Sequence, residues 1–252
     1  MIFDSHSHYD DERFSEDREE LLLSLKEKNV DKVIDVCADI NDMDKIIALT
    51  ERYPFVYGAL GVHPDNVDVL TAEKLDLLKK KALSEKIVAI GEIGLDYYGE
   101  STEKSLQKKW FEEQLDIANE LNMPVIIHSR DAAEDTMGII NNRSSLNAVM
   151  HCYSYSKELA AKLVDRGLYI GIGGVVTFKN GKKLKEVAEY IPLESILLET
   201  DCPYLAPEPF RGTRNDSSLI KYVVDEIAAL KGIDSKEVEA VCYSNACRFF
   251  GI

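Results

Sequence analysis

The sequence predicts an α/β protein, a single (β/α)8 barrel occupying residues 1–252. Three observations carry that expectation. Short β-rich apolar runs alternate with longer amphipathic ones from end to end. Several of the short runs are too continuously apolar for a sheet with one wet face, which suits strands buried on both sides of a parallel sheet. The length of 252 residues is also usual for one such barrel, at about 250, and no repeat, low-complexity tract or Pro/Gly/Ser-rich linker interrupts it. The rival is an open doubly wound sheet, but no G-x-G-x-x-G turn follows the first strand and no phosphate-loop lysine motif is present.

In order along the chain, strands are expected at 2–5, 32–37, 56–62, 87–95, 125–127, 148–150, 168–173 and 195–199. Each is a run of β-branched, aromatic or aliphatic residues bounded by polar or turn-forming ones. Helical segments lie between them. The clearest is 103–122, where Leu106, Trp110, Ile117 and Leu121 recur at spacings of four and seven and so stripe one helix face. The segment 219–231 repeats the pattern through Ile220, Val223, Val224, Ile227 and Leu230, with Gly232 placed to cap its C-terminus. A last amphipathic stretch, 235–250, closes the chain.

Composition narrows the function classes. With 30 Lys and Arg against 45 Asp and Glu, the formal net charge is −15, which excludes electrostatic attraction of the whole surface to polyanions. The opening Met1-Ile2-Phe3-Asp4-Ser5-His6 has no basic, signal-like character, and no apolar run approaches the roughly 20 residues of a membrane helix. Cys37, Cys152, Cys202, Cys242 and Cys247 are odd in number and form no C-x-x-C pair, which argues against a disulfide framework or a thiolate zinc site. A cytoplasmic protein is expected, with no membrane role and no obligate protein partner.

All five histidines fall at or just after strand candidates, and none falls on a helix. His6 and His8 follow the first strand, His63 ends 56–62, His128 follows Ile127, and His151 follows Met150. Glu92 lies in Ala89-Ile90-Gly91-Glu92-Ile93-Gly94, and Asp201 follows Leu198-Glu199-Thr200. In a barrel the carboxyl ends of all strands open on the face where active sites sit. A lone carboxylate there is as readily a helix cap; four histidines and two carboxylates together point to metal ligation. The His6-x-His8 pair is informative because a period of two along a strand turns both imidazoles the same way. Nitrogen and oxygen donors suit Zn²⁺, Mn²⁺, Co²⁺ or Fe²⁺ and tolerate Mg²⁺. Six ligands exceed one tetrahedral zinc, so two divalent ions sharing a carboxylate is the simplest fit.

These residues resemble the TatD family of metal-dependent hydrolases and deoxyribonucleases. The likeness runs through Asp4-Ser5-His6-Ser7-His8-Tyr9-Asp10, Gly61-Val62-His63-Pro64, Gly91-Glu92-Ile93-Gly94-Leu95-Asp96-Tyr97-Tyr98 and Ile127-His128-Ser129-Arg130-Asp131, and on through His151-Cys152-Tyr153-Ser154, Leu198-Glu199-Thr200-Asp201-Cys202-Pro203-Tyr204-Leu205 and Arg211-Gly212. It implies a TIM barrel with a divalent-metal centre that hydrolyses DNA phosphodiesters, with 3′ exonuclease action in some members and a DNA strand end as the partner. By position, His6, His8, Glu92 and Asp201 would hold one ion, Glu92, His128 and His151 a second, and His63 would contact substrate phosphate. Asp201 is then expected to orient the attacking water or take its proton. Arg130 and Arg211 are candidate phosphate binders. Arg214 and the run Lys179, Lys182, Lys183 and Lys185 are also expected near the mouth, the run serving equally as a solvated helix face. Two departures stand out: Asn215-Asp216-Ser217 where members commonly carry Asn-Glu-Pro, and Ser154-Tyr155-Ser156 in place of Ser-Gly-Ser. Tyr155, Tyr97 and Tyr98 are read as groove-lining or packing side chains.

Two other readings share part of this pattern. A barrel amidohydrolase cleaving C–N or C–O bonds would also carry H-x-H, two later histidines and a final Asp, but many use a lysine where this chain has Glu92. A catalytically silent metal-binding protein would have no need of His63 beside the six ligands.

Overall fold

The computed structural model describes residues 1–99 and 102–252. The elements run β1 (Ile2–Ser7), α1 (Arg18–Ser24), β2 (Val30–Val36), α2 (Met43–Arg52), β3 (Val56–Leu60), α3 (Ala72–Lys81), β4 (Ile87–Asp96), α4 (Lys104–Leu121) and β5 (Val125–Arg130). They continue through α5 (Ala133–Asn141), β6 (Ala148–Met150), α6 (Lys157–Asp165), β7 (Tyr169–Ile172), α7 (Lys182–Tyr190), β8 (Ile196–Leu198), α8 (Ile220–Lys231) and α9 (Ser235–Phe250). Among the described residues the eight strands follow one another in sequence order in one sheet, the predicted (β/α)8 fold. All eight predicted strands are present, with ends displaced by up to three residues. The largest displacement is in β5, which runs on to Arg130 because Ser129 and Arg130 pair with Leu95 and Asp96 through their backbones. His128 therefore lies within a strand. Among the described residues no helix is long and apolar enough to cross a membrane.

By internal packing the chain divides into two compact units, Met1–Asp35 with Cys152–Ile252, and Val36–His151. In the first, β1 pairs in parallel with β2 through Asp4 and Val33, and Ser7 bridges to Cys202 just past β8. The Asp4 carboxylate ties β1 to β8: Oδ1 accepts the Thr200 N–H at 3.0 Å and Oδ2 the Thr200 hydroxyl at 2.6 Å. α9 covers the outside of these strands with Phe249 and Phe250, the latter stacked on Phe3 at 5.7 Å between ring centroids. Its Asn245 amide donates to the carbonyls of Leu193 and Ile196, fixing the start of β8. An Asp234 N-cap and a left-handed C-cap at Gly251 delimit this helix.

In the second unit, β3, β4, β5 and β6 pair in parallel. The buried face of α4 differs from the expected stripe. Leu106 and Leu121 sit at its margin, whereas Gln107, Trp110, Phe111, Gln114, Leu115, Ile117 and Ala118 are buried. The reason is hydrogen bonding that periodicity in apolar residues does not register. Gln114 accepts the Val62 N–H at 2.8 Å and donates to its carbonyl, and Gln107, two turns away, does the same to Asp96 at 2.9 Å. Two buried amides on one helix face thus clamp the chain just before His63 and the carboxyl end of β4. Gly94 (φ +149°) has to be glycine, since a Cβ there would lie 1.9 Å from the carbonyl oxygen of His128.

Candidate functional site

Within the first unit, three of the predicted ligands converge. His6 is buried at the end of β1 and His8 is one step beyond it, and their Nε2 atoms face each other at 3.1 Å. Asp201 Oδ1 lies 3.4 Å from His8 Nε2 and 3.9 Å from His6 Nε2. Backbone pairing sets this approach: the Asp201 N–H donates to the His6 carbonyl at 2.9 Å and the His8 N–H to that of Cys202 at 2.8 Å. Asp201 holds a left-handed backbone (φ +56°), a conformation that non-glycine residues retain where their surroundings enforce it.

Within the second unit, Glu92 on β4 meets the histidines of the next two strands. Its Oε1 is 2.7 Å from His128 Nδ1 and 3.5 Å from His151 Nε2. His128 is also held from its other side, with Nε2 2.9 Å from Asp96 Oδ2. Burial disfavours a charged ring, but the hydrogen bonds to Asp96 and Glu92 overcome it and raise His128 to about 9. Burial also opposes the Asp96 carboxylate, yet its bonds with His128 and the Tyr98 N–H keep it below the ordinary carboxylate range. His63 stands edge-on to His128, with ring centroids 4.3 Å apart. Burial pushes His63 down to about 4, against the pull of Glu92. Its Nδ1 accepts the Asp65 N–H at 3.2 Å, which leaves the ring proton on Nε2.

The remaining candidates are placed as follows. Arg130 is exposed, its guanidinium 3.7 Å above the Tyr98 ring. Arg211 lies 4.2 Å over Phe178 and donates to Asn180 Oδ1 at 3.3 Å. Arg214 forms an ion pair with Asp17, and Lys185 one with Glu226, whereas Lys182 and Lys183 open α7 as exposed residues. The Tyr97 hydroxyl donates to Asp135 at 2.7 Å, and Tyr155 packs edge-on against Tyr153. Cys202 is fully buried, and burial holds its thiol well above the ordinary range, as expected of a packing residue.

Further residues support the predicted ligands and were assigned no role from sequence. Asp96 orients His128. Glu199 is buried and its Oε1 accepts the Cys152 N–H at 2.7 Å, immediately after His151. Asp4 receives the Ser217 hydroxyl at 2.6 Å, and that hydroxyl in turn accepts from Tyr9 at 2.7 Å. The serine at the departure from Asn-Glu-Pro thus supplies a donor that proline lacks. For Asp96 and Asp4 a signal was available: each is spaced at a multiple of two from a predicted ligand on its own strand, Glu92 or His6.

The donors in both clusters are imidazole nitrogens and carboxylate oxygens, a set suited to divalent cations of intermediate to hard character. Within the second unit His63, Glu92 and His128 each bring a ligand atom within 4.8 Å of the others.

Known proteins resemble this chain over its whole length. The family model described as TatD related DNase matches residues 3–251. An uncharacterized metal-dependent hydrolase of Bacillus subtilis, YabD, is 41% identical over 254 residues, covering 100% of both chains. The 3′-5′ ssDNA/RNA exonuclease TatD of Salmonella typhimurium is 31% identical over 258 residues, covering 100% of this chain and 99% of its own. The crystal structure of YjjV, a TatD homologue from Escherichia coli, superposes with a TM-score of 0.94 at 30% identity, covering 100% of this chain and 98% of that one. With a whole-length family match, whole-length relatives and the fold in agreement, the chain belongs to the TatD family of metal-dependent hydrolases.

Proposed function

We propose that the protein is a divalent-metal-dependent phosphodiesterase that degrades DNA from a strand end in the 3′ to 5′ direction, with two ions. One ion is held by His6, His8 and Asp201, the other by Glu92, His128 and His151. The observation that carries this reading is the composition of the two clusters, each imidazole and carboxylate only, each in the carboxyl halves of strands or just past them. The exonuclease name of the Salmonella relative supports the choice of a nucleic-acid strand as substrate. Bound divalent ions supply Lewis acidity, which acidifies water and offsets charge on phosphoryl oxygens.

The protein's own groups do the rest. Asp201 is only partly buried and accepts the proton of the attacking water. His63, neutral at pH 7 because burial holds it near 4, presents Nε2–H as an uncharged donor to a non-bridging oxygen. Asp96 accepts from His128 Nε2, which leaves Nδ1, 2.7 Å from Glu92 Oε1, as the nitrogen that would take a cation.

The test is an assay of purified, metal-loaded protein on single-stranded DNA, duplex DNA, RNA and simple phosphodiesters, with chelator and Glu92→Ala controls. Metal-dependent release of nucleotides from single strands is expected, abolished in both controls. Cleavage of small amides or lactones with no phosphodiester turnover would overturn the reading.

A further inference from the structure

His8 lies one residue past the end of β1, and its side chain is 12% exposed, whereas His6 lies within the strand at 1%. The strand ladder therefore does not hold His8 itself. It ends with Ser7 opposite Asp35 of β2, after an irregularity in which the step from Asp4 to Ser7 is matched by the shorter step from Val33 to Asp35. What fixes His8 is hydrogen bonding of the two peptide groups beside it. Its own N–H donates to the Cys202 carbonyl at 2.8 Å. The next N–H, that of Tyr9, donates to Asp35 Oδ1 at 2.6 Å. Tyr9 is anchored in turn: it is fully buried, its hydroxyl donates to Ser217 Oγ at 2.7 Å, and its carbonyl accepts from Arg18 Nε. With both flanking peptide planes set, the Cα–Cβ bond of His8 has one direction, and Nε2 comes to 3.4 Å from Asp201 Oδ1.

Asp35 is a costly residue for β2. It is fully buried between Ile34 and Val36, which are also fully buried, and among the described residues its Oδ2 has no hydrogen-bond partner. A buried polar oxygen without a partner destabilises the folded chain, and an apolar side chain in its place would not. Locally unfavourable residues of this kind collect where function compensates for them. Here the side-chain hydrogen bond goes to the peptide that follows a ligand. We propose that Asp35 is a positioning residue for the His6, His8 and Asp201 cluster: its Oδ1 sets the plane of the His8–Tyr9 peptide and so the direction from which the His8 imidazole meets a cation. The inference rests on the cation reading of that cluster and deepens it. The role needs an acceptor and not a charge. Without one, the buried Tyr9 N–H must turn towards another partner, and His8 turns with it.

Cobalt titrations of the metal-stripped protein, followed by visible absorption, test it. The relevant ion is the one that His8→Ala removes. For that ion Asp35→Val, apolar and β-branched like its neighbours in β2, is expected to lower the affinity at least about tenfold, the scale on which partners of metal ligands act, and to shift the visible bands. The ion at Glu92, His128 and His151 should bind as in wild type, and the stripped variant should resist urea at least as well as wild type. Asp35→Asn, whose carbonyl still accepts, keeps most of the affinity and the wild-type bands. A purely structural role predicts the opposite pattern, with urea resistance lost and both ions weakened alike. If Asp35→Val does not fold, Asp35→Thr, whose hydroxyl hangs one bond short of the carboxylate oxygens, carries the same expectation. Unchanged affinity and bands in the variant without the acceptor, or Asp35→Asn as impaired as that variant, overturns the positioning role alone. Wild-type protein that takes up no ion removable by His8→Ala overturns the cation reading of the cluster, and the proposal with it.

Discussion

Asp96 Oδ2 lies 2.9 Å from Nε2 of His128, on the side of the ring opposite Glu92. A carboxylate in that position fixes the tautomer of a ligating imidazole and raises its basicity. Asp96→Ala is expected to weaken metal binding at the Glu92, His128 and His151 cluster by about 10–100-fold, the usual cost of losing such a partner. Asp96→Asn, whose carbonyl still accepts from Nε2–H, should recover part of it. Metal titration of the stripped protein reads the effect, and an unchanged affinity in the alanine variant would refute the orienting role.

Elemental analysis should find two divalent ions per chain, with His8→Ala losing one. Loss of both with Glu92→Ala would identify Glu92 as a shared ligand. Because ligands bind only the folded state, an ion at 100 times its Kd should stabilise by roughly 2.7 kcal/mol. For a chain of this size each kcal/mol moves Tm by about 2–4 °C. Thermal melts with and without chelator should therefore differ by several degrees, and the difference should shrink in Glu92→Ala.

Asp4 makes stability depend on pH in the sense opposite to a surface carboxylate. Burial raises its pKa from 3.8 to about 7, although hydroxyl and N–H donors from Ser217, Thr200 and His6 pull it down. The folded chain thus keeps a proton that the unfolded chain releases. The associated stability is fully present below pH 3.8 and is lost as pH rises through about 7. Urea denaturation should show Asp4→Asn gaining on wild type across that window. A difference that stays flat from acid to neutral pH would be inconsistent with a protonated Asp4.

Two glycine substitutions should act in opposite directions. A Cβ at Gly171 would fall 2.3 Å from Glu199 Oε2, so Gly171→Ala must displace the carboxylate that holds the Cys152 N–H. A cost of about 1–3 kcal/mol is expected from the overpacking. Gly138 is exposed within α5, and a methyl added there would meet nothing within 4 Å. Gly138→Ala should stabilise by about 0.5–1 kcal/mol. Denaturant midpoints measure both.

What could be read from the chain alone follows from periodicity and position. Continuously apolar runs such as Val33-Ile34 and Ala89-Ile90 required strands buried on both faces, and the stripe through Val223, Val224 and Ile227 required a helix. Histidines and carboxylates at or near the ends of the strand candidates pointed to a cation site, because a parallel barrel gathers every carboxyl end on one side. The stripe of α4 was displaced because Gln107 and Gln114 bury amides that serve backbone groups, and a pattern of apolar residues does not count hydrogen bonds.

The order of strands and helices, and the side chains able to ligate a cation, follow from residue type and from spacing of two or about 3.6 along the chain. Which partner each side chain takes is set in the folded chain. That Asp96 turns His128, that Glu199 holds the residue after His151, and that Ser217 donates to Asp4 across 213 positions are matters of a few tenths of an ångström in hydrogen-bond geometry. Such distances are set by strand register and by the packing of helices on the sheet, which join segments far apart in the chain.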